Sequence, residues 1–504
     1  MSRRHKEGPD SRKNRLTTRF RHGNVAAIDT GNVAISKRGD ESMLGRDKTT
    51  RIGLIVTMSQ DETWPDSIVN RVKAYLPEIR GAIEGLGMKV VDCGAIARTG
   101  QQMTEQAEQL RRAAIHALVI YVGTWTYSNT SVMAALRADV PVVVWASSKL
   151  ETFGIVGGSI VRGALEEVGV QNFILYGDFA DSATLAKLKH YLLGIAGASK
   201  LRGMIYGEGG GRSMGMYTAR IDPSEWMSRF GIDVDNFDQV DVIRRAEKYP
   251  QAEAEKFLGW MRKEFGGIEV KDEVMLAQIR MYFALRDVIT EKNYDFIAVK
   301  CLPELPSCYT TFCVAHALLN DTADDGFGGR SSYVAACEAD ANGALTMQIL
   351  NNISGGTTMF TDVLYYDYEE NMVRMCNCGS QPTDFASSRQ DVTWVTEGLR
   401  EFDWVMGGAC PRYVGKPGRL TVARLSRVKG RYVMLIATGT ALEMPLEKIK
   451  ETNSQQPHVF VRLDCPQDRF VESLRSNHIH VVQGDWKEEL LVTCKVLDIE
   501  PVVP

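Results

Sequence analysis

Two carboxylates stand where apolar residues are expected. The stretch CEADANGALTMQILNNISGGTTMFTDVLYYD, residues 337–367, reads as a helix, a glycine turn and a strand. With 334–353 helical, Glu338 shares a face with Ala341, Asn342, Leu345 and Ile349. With 357–368 extended, Asp362 shares a face with Phe360, Leu364 and Tyr366. Both faces read as buried, whereas Asp340 reads as turned to water. An uncompensated buried carboxylate costs on the order of several kcal/mol. Two close together force one to keep its proton unless a cation lies between them. That cation is either an arginine from elsewhere in the chain or a metal ion.

A metal would need a third ligand, and the chain has eight histidines. His5 and His22 fall in a basic leader, and His316 falls in an apolar helical pattern. SNHIHVVQGDW (476–486) differs, because alternation puts His478 and His480 on one strand face beside the polar Asn477. Two carboxylates and an imidazole suit Mn²⁺, Co²⁺ or Mg²⁺ better than a closed structural zinc site. Such a site keeps positions open for substrate oxygens. GEGGGRSMGM (207–216) follows a strand but lacks the phosphate-loop spacings. It reads as a loop bringing backbone close to a ligand. Cys376 and Cys378 form a lone CxC among ten scattered cysteines, which read as small buried hydrophobes.

The elements that must position these groups follow from pattern. Of 504 residues, 44% are hydrophobic and 24% charged, and the net charge is −4. That balance suits a globular protein and points to neither a nucleic-acid nor a membrane partner. No apolar run reaches the roughly 18 residues of a membrane span, and the N-terminus lacks a secretory core, so a cytoplasmic location is expected. Residues 1–50 are basic and aperiodic, and read as a disordered tail or an oligomer arm. From Arg51, wholly apolar strands alternate with amphipathic helices, as in a parallel sheet covered on both faces. An α/β domain over 51–172 and a second over 173–355 are expected. After 356 the chain turns to alternating β segments, read as an antiparallel barrel over 356–504 and closed by WKEELLVTCKVLD.

At this point the chain resembles the L-fucose isomerase and L-arabinose isomerase superfamily, nearer the fucose side. GTWTYSN, GGRSMGM, EADANGALTM…FTD and SNHIHVVQGD carry the likeness over residues 51–504. The resemblance implies two Rossmann-like open parallel-sheet domains followed by a β-barrel domain, a homo-oligomer that is commonly a hexamer, and a monosaccharide substrate. It implies that Glu338, Asp362 and His478 hold a divalent metal, usually Mn²⁺, and that Glu338 and Asp362 move protons through a cis-enediol in aldose–ketose isomerisation. Asn477 and Met214 would contact the sugar, and Trp125 would reach a neighbouring subunit's site. Departures from the fucose enzymes include Ile55 for an arginine, Arg212 in the glycine loop, Lys300 in VKCLPELP, and CNCG for His-Cys-Gly. Arg212 and Lys300 suit a sugar with an anionic substituent. A non-catalytic sugar-binding or regulatory protein on the same scaffold is the competing expectation.

Overall fold

A strand that is apolar on both sides needs cover on both sides, and RIGLIVT is buried at every residue but its first. The computed structural model of the chain describes residue 44 and residues 48–504, except 62, 323–331, 378–379, 398–404 and 453–454. The basic leader up to residue 43 and Cys378 therefore lie outside the described residues.

Arg51–Thr57 (β1), Lys89–Val91 (β2), Ala117–Val122 (β3), Val142–Ala146 (β4) and Asn172–Tyr176 (β5) form a five-stranded parallel sheet, ordered β2-β1-β3-β4-β5. Helices Asp66–Glu84 and Ser182–Ser199 cover one face, and three helices between residues 100 and 167 cover the other. The strand at 172–176 was expected in the second sheet. It instead pairs with β4 from Val142↔Asn172, because the helical crossover Gly154–Glu167 returns the chain parallel to the strand it left.

Ile205–Gly209 (β6), Asp233–Phe237 (β7), Gly267–Ile268 (β8), Phe296–Val299 (β9) and Ala335–Cys337 (β10) follow. Four of them make a second parallel sheet, ordered β10-β9-β6-β7. Here the expected helix over 334–353 breaks into three parts. VAAC extends the sheet edge, Glu338 and Ala339 turn with φ of 59° and 48°, and the helix runs only over Ala341–Ser354. Asp340 is its N-cap, accepting from the Gly343 N–H at 2.9 Å. A capping aspartate restarts the chain as a helix, which periodicity over one long window hides.

The rest is β-rich: Thr358–Asp367 (β11), Met372–Cys376 (β12), Thr393–Glu397 (β13), Gly408–Arg412 (β14), Gly418–Val428 (β15), Arg431–Ala441 (β16), His458–Leu463 (β17), His478–Gln483 (β18) and Glu500–Val502 (β19). Strands β15-β18-β11-β12-β17-β16 pair antiparallel in that order, and β15–β16 pairing closes the ring into a barrel. β13 and β14 join β8 in a small separate sheet. Alternation along the barrel strands splits their side chains. Met359, Ile479, Val481, Leu420 and Val422 join one core, and Phe360, Val482, Ala423 and Leu425 pack with the helix Ala341–Ser354 in another. Among the described residues no helix is long and apolar enough to cross a membrane.

The last helix, Lys487–Leu497, lies against β16 and also against Ser182–Ser199 of the first sheet. Gly194 permits that second contact, since a Cβ there would stand 2.5 Å from the Glu489 carbonyl oxygen and 2.6 Å from Val492 Cβ. Gly163, also helical, has nothing within 4 Å of its would-be Cβ. Gly194→Ala should therefore cost about 1–3 kcal/mol through overpacking. Gly163→Ala should cost nothing or stabilise slightly. Urea unfolding midpoints of the two variants, compared with the parent, test this contrast.

Candidate active site

The chemically able side chains meet where the second sheet abuts the barrel. Glu338 sits at the carboxyl end of β10, the edge of a parallel sheet where ligands are commonly bound. Its left-handed backbone, followed by a second left-handed residue, costs roughly 1–3 kcal/mol per position and persists only because packing enforces it. Asp362 is on β11, directly opposite His478 of β18 on one side and Cys376 of β12 on the other. Neighbouring strands thus bring Asp362, His478 and the next residue of the β12 side, Asn377, into one patch. The register shifts between Val363 and Tyr365, so Leu364 is exposed and does not share the expected face with Asp362.

Distances define the cluster. His478 Nε2 lies 3.2 Å from Glu338 Oε2 and 3.9 Å from Asp362 Oδ1. The Asn377 amide donates to Asp362 Oδ2 at 2.7 Å and lies 3.4 Å from Glu338 Oε1. Asn477 donates to Asp362 Oδ1 at 3.0 Å. The other imidazole nitrogen of His478, Nδ1, meets Asp340 Oδ2 at 2.7 Å, and its ring packs on Phe360. Asp340, expected in water, is 0% exposed. Arg424 reaches it from β15 with both ends of its guanidinium, Nη1 on Oδ2 and Nη2 on Oδ1, the latter at 3.2 Å. An arginine does therefore reach this region, but its partner is Asp340 rather than the Glu338–Asp362 pair.

The electrostatics follow from burial and these partners. Burial raises the Asp362 carboxyl above its ordinary range, and nearby Glu338 adds to this while His478 and the two asparagine amides oppose it. Burial alone would lower His478, but its hydrogen bonds to Asp340 and Glu338 carry it up to about 10. Burial would likewise raise Asp340, yet Arg424 and His478 hold it well below the usual carboxylate range. His480, beside Arg424 at 3.3 Å, is kept well below its ordinary value by burial and that cation. His316 is a buried core residue, lowered to about 4 by burial, as its apolar setting implied.

Of the remaining expected site residues, Lys300, Arg212 and Met214 follow strands at the same sheet edge. Lys300 directly follows β9, beside β10, and its ammonium pairs with Glu304 at 2.7 Å. Arg212 is exposed and lies over the Tyr217 ring at 5.1 Å. Met214 is 46% exposed and has a φ of 42°. The loop carrying both is tied to the cluster, since Asn342 donates to the Thr218 carbonyl at 2.8 Å. Trp125 belongs to the first sheet, where its N–H bonds the Thr152 carbonyl and its ring meets Tyr127; these contacts do not reach the cluster.

Sequence reading missed Asn377, Asp340 and Arg424. The only signal for Arg424 was a cation inside the apolar run RLTVARLSRV. Of the three candidate metal ligands, His478 and Glu338 are within hydrogen-bonding distance at 3.2 Å, and Asp362 Oδ1 stands 3.9 Å from the same His478 Nε2. Among the described residues no group of three His, Cys, Asp or Glu side chains is set around a common cation position. Their chemistry nonetheless fits a hard or borderline divalent ion. There are two carboxylates, one of them resisting ionisation, and an imidazole whose outer nitrogen already has a carboxylate partner.

Two α/β sheets and a closed barrel meet at a carboxylate–imidazole cluster, and similarity to known proteins says which family has this build. The chain belongs to the L-fucose isomerase family: residues 56–203 match the first N-terminal domain of L-fucose isomerase, and residues 375–503 match its C-terminal domain. It is 23% identical over 394 residues to a sulfoquinovose isomerase of Clostridium sp. (strain MSTE9), covering 75% of this chain and 84% of that one. A sulfoquinovose isomerase of Alkalicoccus urumqiensis is 23% identical over 399 residues, covering 76% of this chain and 85% of the relative. An L-fucose isomerase of Citrobacter koseri is 24% identical over 487 residues, covering 79% and 81%. The protein is accordingly an aldose–ketose isomerase.

Asn377→Asp would replace a donor with a third carboxylate facing two others. The folded chain would then hold protons that the unfolded chain releases near pH 4, so stability falls as pH rises from there. The variant should melt close to the parent near pH 4.5 and several degrees below it at pH 8. Thermal melts of the metal-free chains at both pH values check this, and equal gaps at both would contradict the contact.

Proposed function

We propose that this isomerase uses a divalent cation, Mn²⁺ in the first instance with Co²⁺ or Mg²⁺ as substitutes, and that it works through a cis-enediol. The approach of Glu338, just after β10, and Asp362 of β11 to within 3.2 and 3.9 Å of His478 Nε2 on β18 supports this reading. Those three residues would hold the ion through two carboxylates and His478 Nε2. When bound, it would polarise the sugar carbonyl and neighbouring hydroxyl and so lower the barrier to losing the C2 proton. The chain's own groups do the rest. One of Glu338 and Asp362 takes the proton from C2 and returns it at C1, while the other exchanges protons with the two oxygens. Burial raises the Asp362 carboxyl above its ordinary range, which favours its taking up a proton, and Asn377 and Asn477 orient it. Asn477 also stands at the partly open side of Asp362, where a sugar hydroxyl would meet it.

The substrate we propose carries an anionic substituent. Lys300 and Arg212 follow β9 and β6 at the same sheet edge as Glu338, and the carboxylate on Lys300, that of Glu304, is exposed and easily displaced. The sulfoquinovose isomerases among the relatives favour the same reading. We further propose a homo-oligomer, hexameric as the family resemblance implies, in which Trp125 serves a neighbour's site. Beside it, Leu150, Phe153, Ile155, Val156 and Ile160 expose a large apolar surface.

Two experiments follow. Glu338→Gln and Asp362→Asn should each abolish turnover and loss of the substrate C2 proton signal in D₂O with Mn²⁺ present, followed by NMR. Normal exchange in either would refute the assignment. Lys300→Ala combined with Arg212→Ala should lower kcat/KM for sulfoquinovose about 10- to 100-fold, as expected for losing hydrogen bonds to a charged group. L-fucose should change by less than about threefold. Equal losses on both sugars would remove the anion reading.

A further inference from the structure

We infer that Asp340 and Arg424 are positioning residues that aim His478, a role beyond the three proposed ligands and resting on the metal reading above. Three observations carry this. Asp340 is 0% exposed and Arg424 2%, so neither is a solvated charge that happens to lie near. Asp340 is held by three independent groups: the Gly343 N–H that it caps, the Arg424 fork, and His478 Nδ1 at 2.7 Å. Its Oδ2 is shared between Arg424 and His478, so the guanidinium fixes the plane of the carboxylate that receives the imidazole.

The consequence is a defined tautomer. A carboxylate locked onto two cationic or N–H donors can only accept, so the proton of a neutral His478 belongs on Nδ1. Nε2, which bonds Glu338 in the metal-free chain, is then the nitrogen whose proton a cation between Glu338 and Asp362 would replace. Phe360 closes the ring's other freedom by packing at 4.4 Å between centroids. His480 completes the arrangement, its Nε2 lying 3.3 Å from the same Arg424 nitrogen that serves Asp340. The helix start, the barrel strand β15 and the histidine strand β18 are thereby joined through one carboxylate. Outer partners of this kind typically alter metal affinity or activity 10- to 100-fold when lost.

The test measures Mn²⁺ binding to metal-free protein by electron paramagnetic resonance, separately from catalysis. Asp340→Asn and Arg424→Lys should weaken Mn²⁺ binding about 10- to 100-fold. Thr346→Val is the control: it removes a buried bond that the Leu425 N–H donates to the Thr346 hydroxyl in the same interface and should leave Mn²⁺ affinity within about twofold of the parent. Melting temperatures of the metal-free chains report folding in parallel. If Asp340→Asn does not fold, Arg424→Lys is read by the same criterion. Parent-like Mn²⁺ affinity in the folded variants, or an equal loss in Thr346→Val, would overturn the positioning role. Parent protein that binds no Mn²⁺ at a site lost in Glu338→Gln would instead refute the metal reading, so the two failures are distinct.

Discussion

A buried ion pair between Arg424 and Asp340 organises this site. Neither side chain is wet, and the pair joins a barrel strand to the start of a helix in the second sheet's layer. Removing one partner of such a pair typically costs about 3–5 kcal/mol, because the other charge stays behind in a medium that cannot solvate it. The pair therefore constrains how the barrel and the second sheet lie against each other. Glu338 comes from one side of that junction and Asp362 and His478 from the other, so the same constraint sets their spacing.

Strain and hydrogen bonding divide the work around this pair. Glu338 occupies a left-handed turn that a glycine would adopt without cost, which is a way of directing a carboxylate off a sheet edge. Asp362 needs no strain, because antiparallel pairing already places it between His478 and the end of β12. The irregularity comes two residues later, where the register shift turns Leu364 outward. The two carboxylates reach the same patch by unlike routes, and Asn377 bridges them as a donor.

The expected sugar-binding residues are less enclosed than the cluster. Arg212, Met214 and Tyr217 are exposed on the loop after β6, and Trp125 and its apolar neighbours are on the first sheet. This chain departs from the fucose pattern both among the expected sugar-binding residues, at Arg212 and Lys300, and in the cluster, where Asn377 of CNCG touches both carboxylates.

Much of the architecture was legible from pattern alone. Apolar runs separated by amphipathic helices specify a parallel sheet, and alternation specifies barrel strands, because both reflect burial of a face along a local period. The same reasoning marked Glu338 and Asp362 as inward-facing and His478 and His480 as sharing a strand face. It failed where one window held two structures. The strand and cap before Ala341 read as helix, so Asp340 was placed in water although it is the most connected carboxylate of the cluster. Partners lay further beyond reach. Periodicity states which side of an element a residue occupies, but not which distant element lies opposite. Arg424 meets Asp340 across 84 positions and His478 meets it across 138. Residue type and spacing determined that this protein buries charge and needs compensation for it. Only the tertiary structure decided that an arginine would satisfy Asp340 and leave Glu338, Asp362 and His478 facing one another.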